Sequence, residues 1–124
     1  MAKNILVIED DDFFRELLRK KLSLNDFNVL EAVDGEDGIK AVKEKKPDLV
    51  ILDLLLPNVD GFEVLSQVKI DSAVASIPII ILSNLGQQED IERGLKMGAI
   101  DYLVKSQFDI NQVVDKIKNV LEKK

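Results

Sequence analysis

Several short apolar runs in this chain end in residues that can do chemistry. Ile5-Leu-Val-Ile8 leads into Glu9-Asp10-Asp11-Asp12, and Leu49-Val-Ile-Leu52 leads into Asp53. Continuous apolar runs of this length, rich in β-branched residues, read as strands buried on both faces. Two such strands ending in acid place several negative charges at one edge of a sheet, where each needs a cation or a chemical task. Two further runs, Ile77–Leu82 and Ile100–Val104, end in Ser83 and Lys105. Carboxylates, a hydroxyl and an ammonium suit a hard divalent cation together with a phosphoryl group. Mg²⁺ prefers carboxylate oxygens, keeps several waters, and offsets the repulsion between the acids. One aspartate can then serve as a nucleophile and form an aspartyl phosphate. The hydroxyl and the ammonium can each hold an equatorial phosphoryl oxygen. Each feature alone has a plainer reading: an acidic run is commonly a solvated helix N-terminus, and a lysine is commonly solvated. Their joint placement at four strand ends argues for chemistry.

Composition narrows the classes. The 124 residues suit one domain, and with 46% hydrophobic residues the chain can bury a real core. Its net charge of −6 argues against a nucleic-acid surface, which needs a clustered basic face. Cysteine is absent, so there is no disulfide framework and no thiol chemistry. Histidine is absent too, which excludes histidine acid–base catalysis, Ser-His-Asp triads and most zinc sites. No segment reaches the roughly 18 apolar residues of a membrane span. Met1-Ala-Lys-Asn4 runs straight into a strand, so no signal peptide is expected and the chain reads as a soluble cytoplasmic domain.

The elements that must position these groups follow from periodicity. Phe14, Leu17, Leu18 and Leu22 fall on one helix face after the first strand. Asn28–Ala32 is a weaker strand. Asp34 precedes a helix carrying Ile39 and Val42, which Pro47 stops. Asp60 and Glu63 have the form of a capping box before a helix with Val64, Leu65 and Val68. The strand over 77–82 carries Pro78 at its beginning, where a buried strand tolerates it. A helix over 87–97 ends at Gly98. Asp109 caps a helix over 109–121 with Ile110, Val113, Val114, Ile117 and Leu121 at helical spacing. Glu122-Lys-Lys124 reads as a frayed end. Five strands alternating with five helices predict a single α/β domain over 1–124, a doubly wound five-stranded parallel sheet with helices on both faces. Ligands bind such sheets at the carboxyl ends of the strands.

Taken with their order along the chain, four segments carry a resemblance: Ile5-Leu-Val-Ile-Glu9-Asp10-Asp11, Leu52-Asp53-Leu-Leu-Leu-Pro57-Asn-Val-Asp60-Gly61, Ile80-Ile-Leu-Ser83, and Gly98-Ala-Ile-Asp-Tyr102-Leu-Val-Lys105. Over essentially its whole length the chain resembles the receiver domain of two-component response regulators. The resemblance implies a flavodoxin-like (βα)5 fold with strand order 2-1-3-4-5. It implies that Asp53 is the phospho-acceptor, and that Asp10, Asp53 and the backbone carbonyl of Leu55 ligate Mg²⁺, or Mn²⁺ in its place. Glu9 then acts mostly through a bound water. Ser83 and Tyr102 resemble the switch pair, and Lys105 the lysine that pairs with the phosphate. Without the family, Tyr102 reads as a strand tyrosine packing its ring on a helix.

The chain also departs from the family. Ser106 follows Lys105 where proline, often after a cis bond, is usual. A cis bond to a residue other than proline costs about 2.5–4 kcal/mol, so a trans bond or a strained cis one is expected. Asn84 replaces a small residue, and its amide could crowd the phosphoryl pocket or add a donor. Leu55 and Leu85 stand where the family has polar side chains that help to position the hydrolytic water, so slow loss of the phosphoryl group is expected. The resemblance implies phosphoryl transfer to Asp53 from a sensor histidine kinase, a phosphotransfer protein or a small donor. It implies a switch with autodephosphorylation, not a turnover enzyme. The output is protein contact through the 87–121 face, by a monomer or a transient homodimer, with no direct nucleic-acid contact and no membrane contact. A phosphorylation-independent binding module is the main alternative. An aspartate-nucleophile phosphatase would need a second acid two residues after Asp53, where Leu55 stands.

Overall fold

Strands and helices alternate along the chain as their sequence patterns predict. The computed structural model describes residues 2–122. Its elements are β1 (Asn4–Ile8), α1 (Asp12–Leu24), β2 (Asn28–Ala32), α2 (Gly35–Lys45), β3 (Leu49–Leu52), α3 (Gly61–Lys69), β4 (Ile79–Ser83), α4 (Gln88–Lys96), β5 (Asp101–Val104), a 3₁₀ turn over Lys105–Gln107, and α5 (Ile110–Glu122). All four strand pairs are parallel and the order is β2-β1-β3-β4-β5. This is the flavodoxin-like order expected from the resemblance. Met1, Lys123 and Lys124 lie outside the described residues, and with them most of the end read as frayed.

Successive strand side chains point to opposite faces, and both faces are apolar. Leu6, Ile8, Val50, Leu52, Ile79, Ile81 and Val104 pack against Val42 of α2 and Phe62, Leu65 and Val68 of α3, with Ile91 of α4 at the margin. Ile5, Val7, Leu49, Ile51, Ile80, Leu82 and Leu103 pack against Leu18 and Leu22 of α1 and Val113, Val114 and Ile117 of α5. The three central strands, β1, β3 and β4, lie between these two layers, which explains their unbroken apolar runs.

Element ends differ from expectation by a residue or two, for local reasons. Pro78 has no N–H to give, so β4 begins at Ile79, although the Pro78 carbonyl still accepts from Val50 N–H at 2.9 Å. At Asp60 only half of the expected capping box forms. Its Oδ1 accepts from Glu63 N–H at 3.0 Å, but the Glu63 carboxylate takes a 2.8 Å bond from Gln67 on the next turn. The reciprocal box forms instead ahead of α5: Asp109 Oδ1 accepts from Gln112 N–H and Gln112 Oε1 accepts from Asp109 N–H, each at 2.9 Å. Gly98 ends α4 as expected, with φ +113°. Its N–H bonds to the Leu95 carbonyl and that of Ala99 to the Gly94 carbonyl, which together close the helix end.

One glycine sets where the end of β3 sits. Gly61 N–H donates to the Leu54 carbonyl at 3.0 Å, and a Cβ at residue 61 would stand 2.4 Å from both the Asp53 carbonyl oxygen and Leu54 Cα. The start of α3 therefore presses directly on the backbone that carries Asp53. Backbone cannot yield as a flexible side chain does, so Gly61→Ala is expected to cost about 1–3 kcal/mol, the usual range for overpacking. A urea unfolding curve checks this, and an unchanged midpoint would show that the loop has room.

Candidate functional site

The strand order sets the carboxyl ends of β1 and β3 side by side. Ile8 pairs with Leu52, and the ladder continues for one more bond on each side of β1. Asp53 N–H donates to the Ile8 carbonyl at 3.1 Å, and Glu9 N–H to the Ala32 carbonyl at 3.0 Å. Both acids are thus backbone-anchored where the sheet ends. Glu9 is 3% exposed and Asp53 5%, while Asp10 is exposed. One carboxylate oxygen from each of Glu9, Asp10 and Asp53 lies within 4.8 Å of the other two. Such a set of hard oxygen donors suits Mg²⁺ or Mn²⁺ and not a soft metal. Leu55 N–H donates to Asp53 Oδ1 at 3.2 Å, which holds the Leu55 backbone beside the same carboxylate.

Lys105 reaches this crevice from the far side of β4. Its Nζ stands 2.5 Å from Glu9 Oε1 and 3.2 Å from Asp53 Oδ2, with the side chain 12% exposed. Burial alone would lower the ammonium's pKa, but the bond to Glu9 and the charge of Asp53 outweigh it and hold the group above its ordinary value. Burial pushes the Glu9 carboxyl up, and the neighbouring Asp53 charge adds to this, against the pull of Lys105; the result is about 7. Glu9 Oε2 also accepts from Asp11 N–H at 3.1 Å. The Lys105–Ser106 peptide is trans, since no cis bond occurs among the described residues.

Ser83 is fully buried at the end of β4, and its Oγ accepts from Leu85 N–H at 3.3 Å. The Tyr102 ring packs inward, 7% exposed, and its hydroxyl donates to the Leu85 carbonyl. Burial, with the charges of Asp90 and Asp53 behind it, pushes that hydroxyl up to about 12. Ser83 and Tyr102 are therefore tied to the two peptide groups of one residue. The hydroxyl of Tyr102 is thus bonded to backbone. The Asn84 side chain is exposed. Leu55 is exposed at the rim, whereas Leu85 packs partly against the core.

Two neighbours of the site are not marked as such by the sequence. Arg15 donates to the Glu9 carbonyl at 2.9 Å and pairs with Asp12 at 2.6 Å and Glu31 at 3.2 Å, bracing the loop that carries the acids. Phe14, read only as a helix-face residue, has its ring 4.4 Å from Lys105 Nζ. The spacing of Asp12 and Arg15 was visible in the sequence; the contact of residues 14 and 105 was not.

The response regulator receiver domain family matches residues 5–118 of the chain. The DNA-binding dual master transcriptional regulator RpaA of Synechocystis sp. is 38% identical over 119 residues, covering 96% of this chain and 49% of that protein. The chain spans about half the length of the curated relatives it matches. Among solved structures, the receiver domain of the Francisella response regulator 1452 superposes with a TM-score of 0.87 at 28% identity, covering 97% of this chain and 96% of that one. The Mn²⁺-bound form of response regulator Rcp1 does so with a TM-score of 0.87 at 27% identity, covering 99% and 97%.

The raised Glu9 carboxyl has a consequence for stability. Folding favours its protonated form, so its contribution is complete below the ordinary value of 4.5 and is lost as the pH climbs through about 7. In EDTA, the stability of the protein relative to Glu9→Gln is expected to fall by on the order of 2 kcal/mol between pH 4.5 and pH 8. Asp53→Asn, which removes a repelling charge, should shrink that fall. Urea unfolding of the parent, Glu9→Gln, Asp53→Asn and the double variant across this range checks it; a flat difference would contradict the assignment.

Proposed function

The chain belongs to the response regulator receiver domain family, and from that premise we propose that it is a phosphorylation-driven switch with Asp53 as acceptor. One observation carries the reading. The Asp53 carboxylate is buried at the carboxyl edge of the sheet, grouped with the Glu9 and Asp10 carboxylates, with an ammonium 3.2 Å from its Oδ2. A carboxylate oxygen of Asp53 attacks the phosphorus of a phosphohistidine on a sensor histidine kinase or phosphotransfer protein, or of a small phosphodonor. The oxygen–phosphorus bond forms as the bond from phosphorus to the donor's leaving atom breaks, and the leaving group, imidazole from a phosphohistidine or ammonia from phosphoramidate, takes the electron pair. Lys105 is placed to exchange its bond to Asp53 for one to a phosphoryl oxygen. Asp10, Asp53 and the Leu55 carbonyl would hold Mg²⁺, with Glu9 acting through a bound water; the Mn²⁺ carried by the related Rcp1 supports such a site. The bound ion supplies neutralisation of the charge gathered on the phosphoryl oxygens.

The bonds at Leu85 support a way for the event to spread. The phosphoryl group adds roughly −1.5 to −2 charges to the crevice. Ser83 Oγ, turning to donate to it, releases Leu85 N–H. The segment between β4 and α4 then shifts, and with it the Leu85 carbonyl on which Tyr102 rests. α4, β5 and α5 are the surface this movement reaches, and we assign protein-partner contact, including transient self-association, to that face. The protein acts on its own Asp53 and does not turn over a substrate. We assign residues 1–124 to one cytoplasmic receiver domain; among the described residues no helix is long and apolar enough to cross a membrane. No nucleic-acid contact is assigned to this chain at net charge −6; DNA binding is in the name of RpaA, a protein about half of which it matches.

Incubation with phosphoramidate and Mg²⁺, followed by borohydride reduction and peptide mapping, tests the reading. A single modification at Asp53 is expected, absent from Asp53→Asn and from samples with EDTA. The unreduced adduct should decay slowly, and faster in Leu85→Gln. No modification with any donor, or one at another acid, would remove the acceptor role and favour a binding module that works without phosphorylation.

A further inference from the structure

Lys105 has a neighbour that the acceptor chemistry does not use. Its ammonium lies 4.4 Å from the centre of the Phe14 ring. Phe14 stands in the first turn of α1, where its N–H donates to Asp11 Oδ1, the helix N-cap, at 3.2 Å. The ring is half-buried and packs against the core layer shared by α1 and α5. Its carrier is thus fixed both by backbone and by packing. Lys105 is less well fixed along its own chain. Ser106 follows it with no pyrrolidine ring to set the backbone, and the lysine opens a 3₁₀ turn of three residues. Its flexible four-carbon stem must nevertheless hold Nζ between Glu9 and Asp53. Both carboxylates pull on the ammonium from one side. The aromatic face adds a further hold, because its quadrupole attracts the cation and its bulk excludes water from another side.

We propose that Phe14 is a positioning residue, whose ring holds the Lys105 ammonium over the gap between Glu9 and Asp53 before a phosphoryl group arrives. The inference rests on the reading of Asp53 as acceptor. It separates Phe14 from an ordinary helix-face residue, for which any side chain of similar bulk would serve.

Three variants test it: Phe14→Leu, Phe14→Tyr, and Phe14→Met as a longer, more adaptable non-aromatic replacement should the leucine protein lose its fold. The aliphatic variants should slow phosphorylation of Asp53 by phosphoramidate at saturating Mg²⁺ about three- to tenfold, the range a partly buried cation–π contact allows. Phe14→Tyr should restore the rate, and the Mg²⁺ Kd should stay unchanged in all three. NMR of the unphosphorylated protein gives a second readout. Ring current should shift the Lys105 Hε protons upfield in the parent and in Phe14→Tyr, and the shift should vanish in the aliphatic variants. A parent-like rate in Phe14→Leu or Phe14→Met, or Hε shifts that do not differ from the parent, would overturn the proposal. Absence of any adduct on the parent protein would defeat the acceptor reading instead, and the Hε shifts would still decide whether the ring holds the ammonium.

Discussion

Lys105 contacts Glu9 and Asp53 at once, at 2.5 and 3.2 Å, inside a crevice that gathers three carboxylates. Like charges this close, two of them on residues at most 5% exposed, cannot all remain ionised without compensation. One ammonium supplies part of it. The raised Glu9 carboxyl marks what is left over. The rest of the structure serves to keep the arrangement in place. Parallel pairing of β1 with β3 sets the two acids side by side, Gly61 lets α3 press on the Asp53 backbone, and Arg15 braces the Glu9 carbonyl.

The same contact explains why the site is a poised one. A phosphoryl group on Asp53 would bring more negative charge to a place already short of cation, and Lys105 is the ammonium within reach. Ser83 lies at the end of the strand between β3 and β5, fully buried and bonded to a backbone N–H that can be given up. Tyr102 rests on the carbonyl of that same residue. In the proposed switch, a local change of charge would act on the bonds of Ser83 and Tyr102 to Leu85, which lie towards α4 and β5, as switching by modification does elsewhere.

Much of this was legible in the residues themselves. Unbroken apolar runs at β1, β3 and β4 gave a parallel sheet covered on both faces, and strand ends in Glu9, Asp53, Ser83 and Lys105 placed the chemistry on one edge. Strand order was not legible from periodicity, because nothing in an apolar run names its neighbour; it came only with the family resemblance. The half-formed cap at Asp60 shows a similar limit. The spacing to Glu63 was right, but Gln67 competed for the same carboxylate, and sequence spacing does not rank competing partners. Phe14 was read as core from its helical spacing, and it does pack there; that its ring also faces Lys105 depends on a contact between residues far apart in sequence. The resemblance named the chemical groups of the site, while the groups that aim them became visible only in three dimensions.

In the proposed switch the crevice holds one movable ammonium, shared between Glu9 and Asp53 at rest and drawn to the phosphoryl group after transfer. NMR of the Lys105 ammonium and the Glu9 carboxyl carbon, before and after addition of beryllofluoride with Mg²⁺, tests this most directly. The Lys105 signal should lose its coupling to Glu9 and gain one to fluorine of the phosphoryl mimic. A mimic bound at Asp53 while Lys105 stays on Glu9 would contradict it.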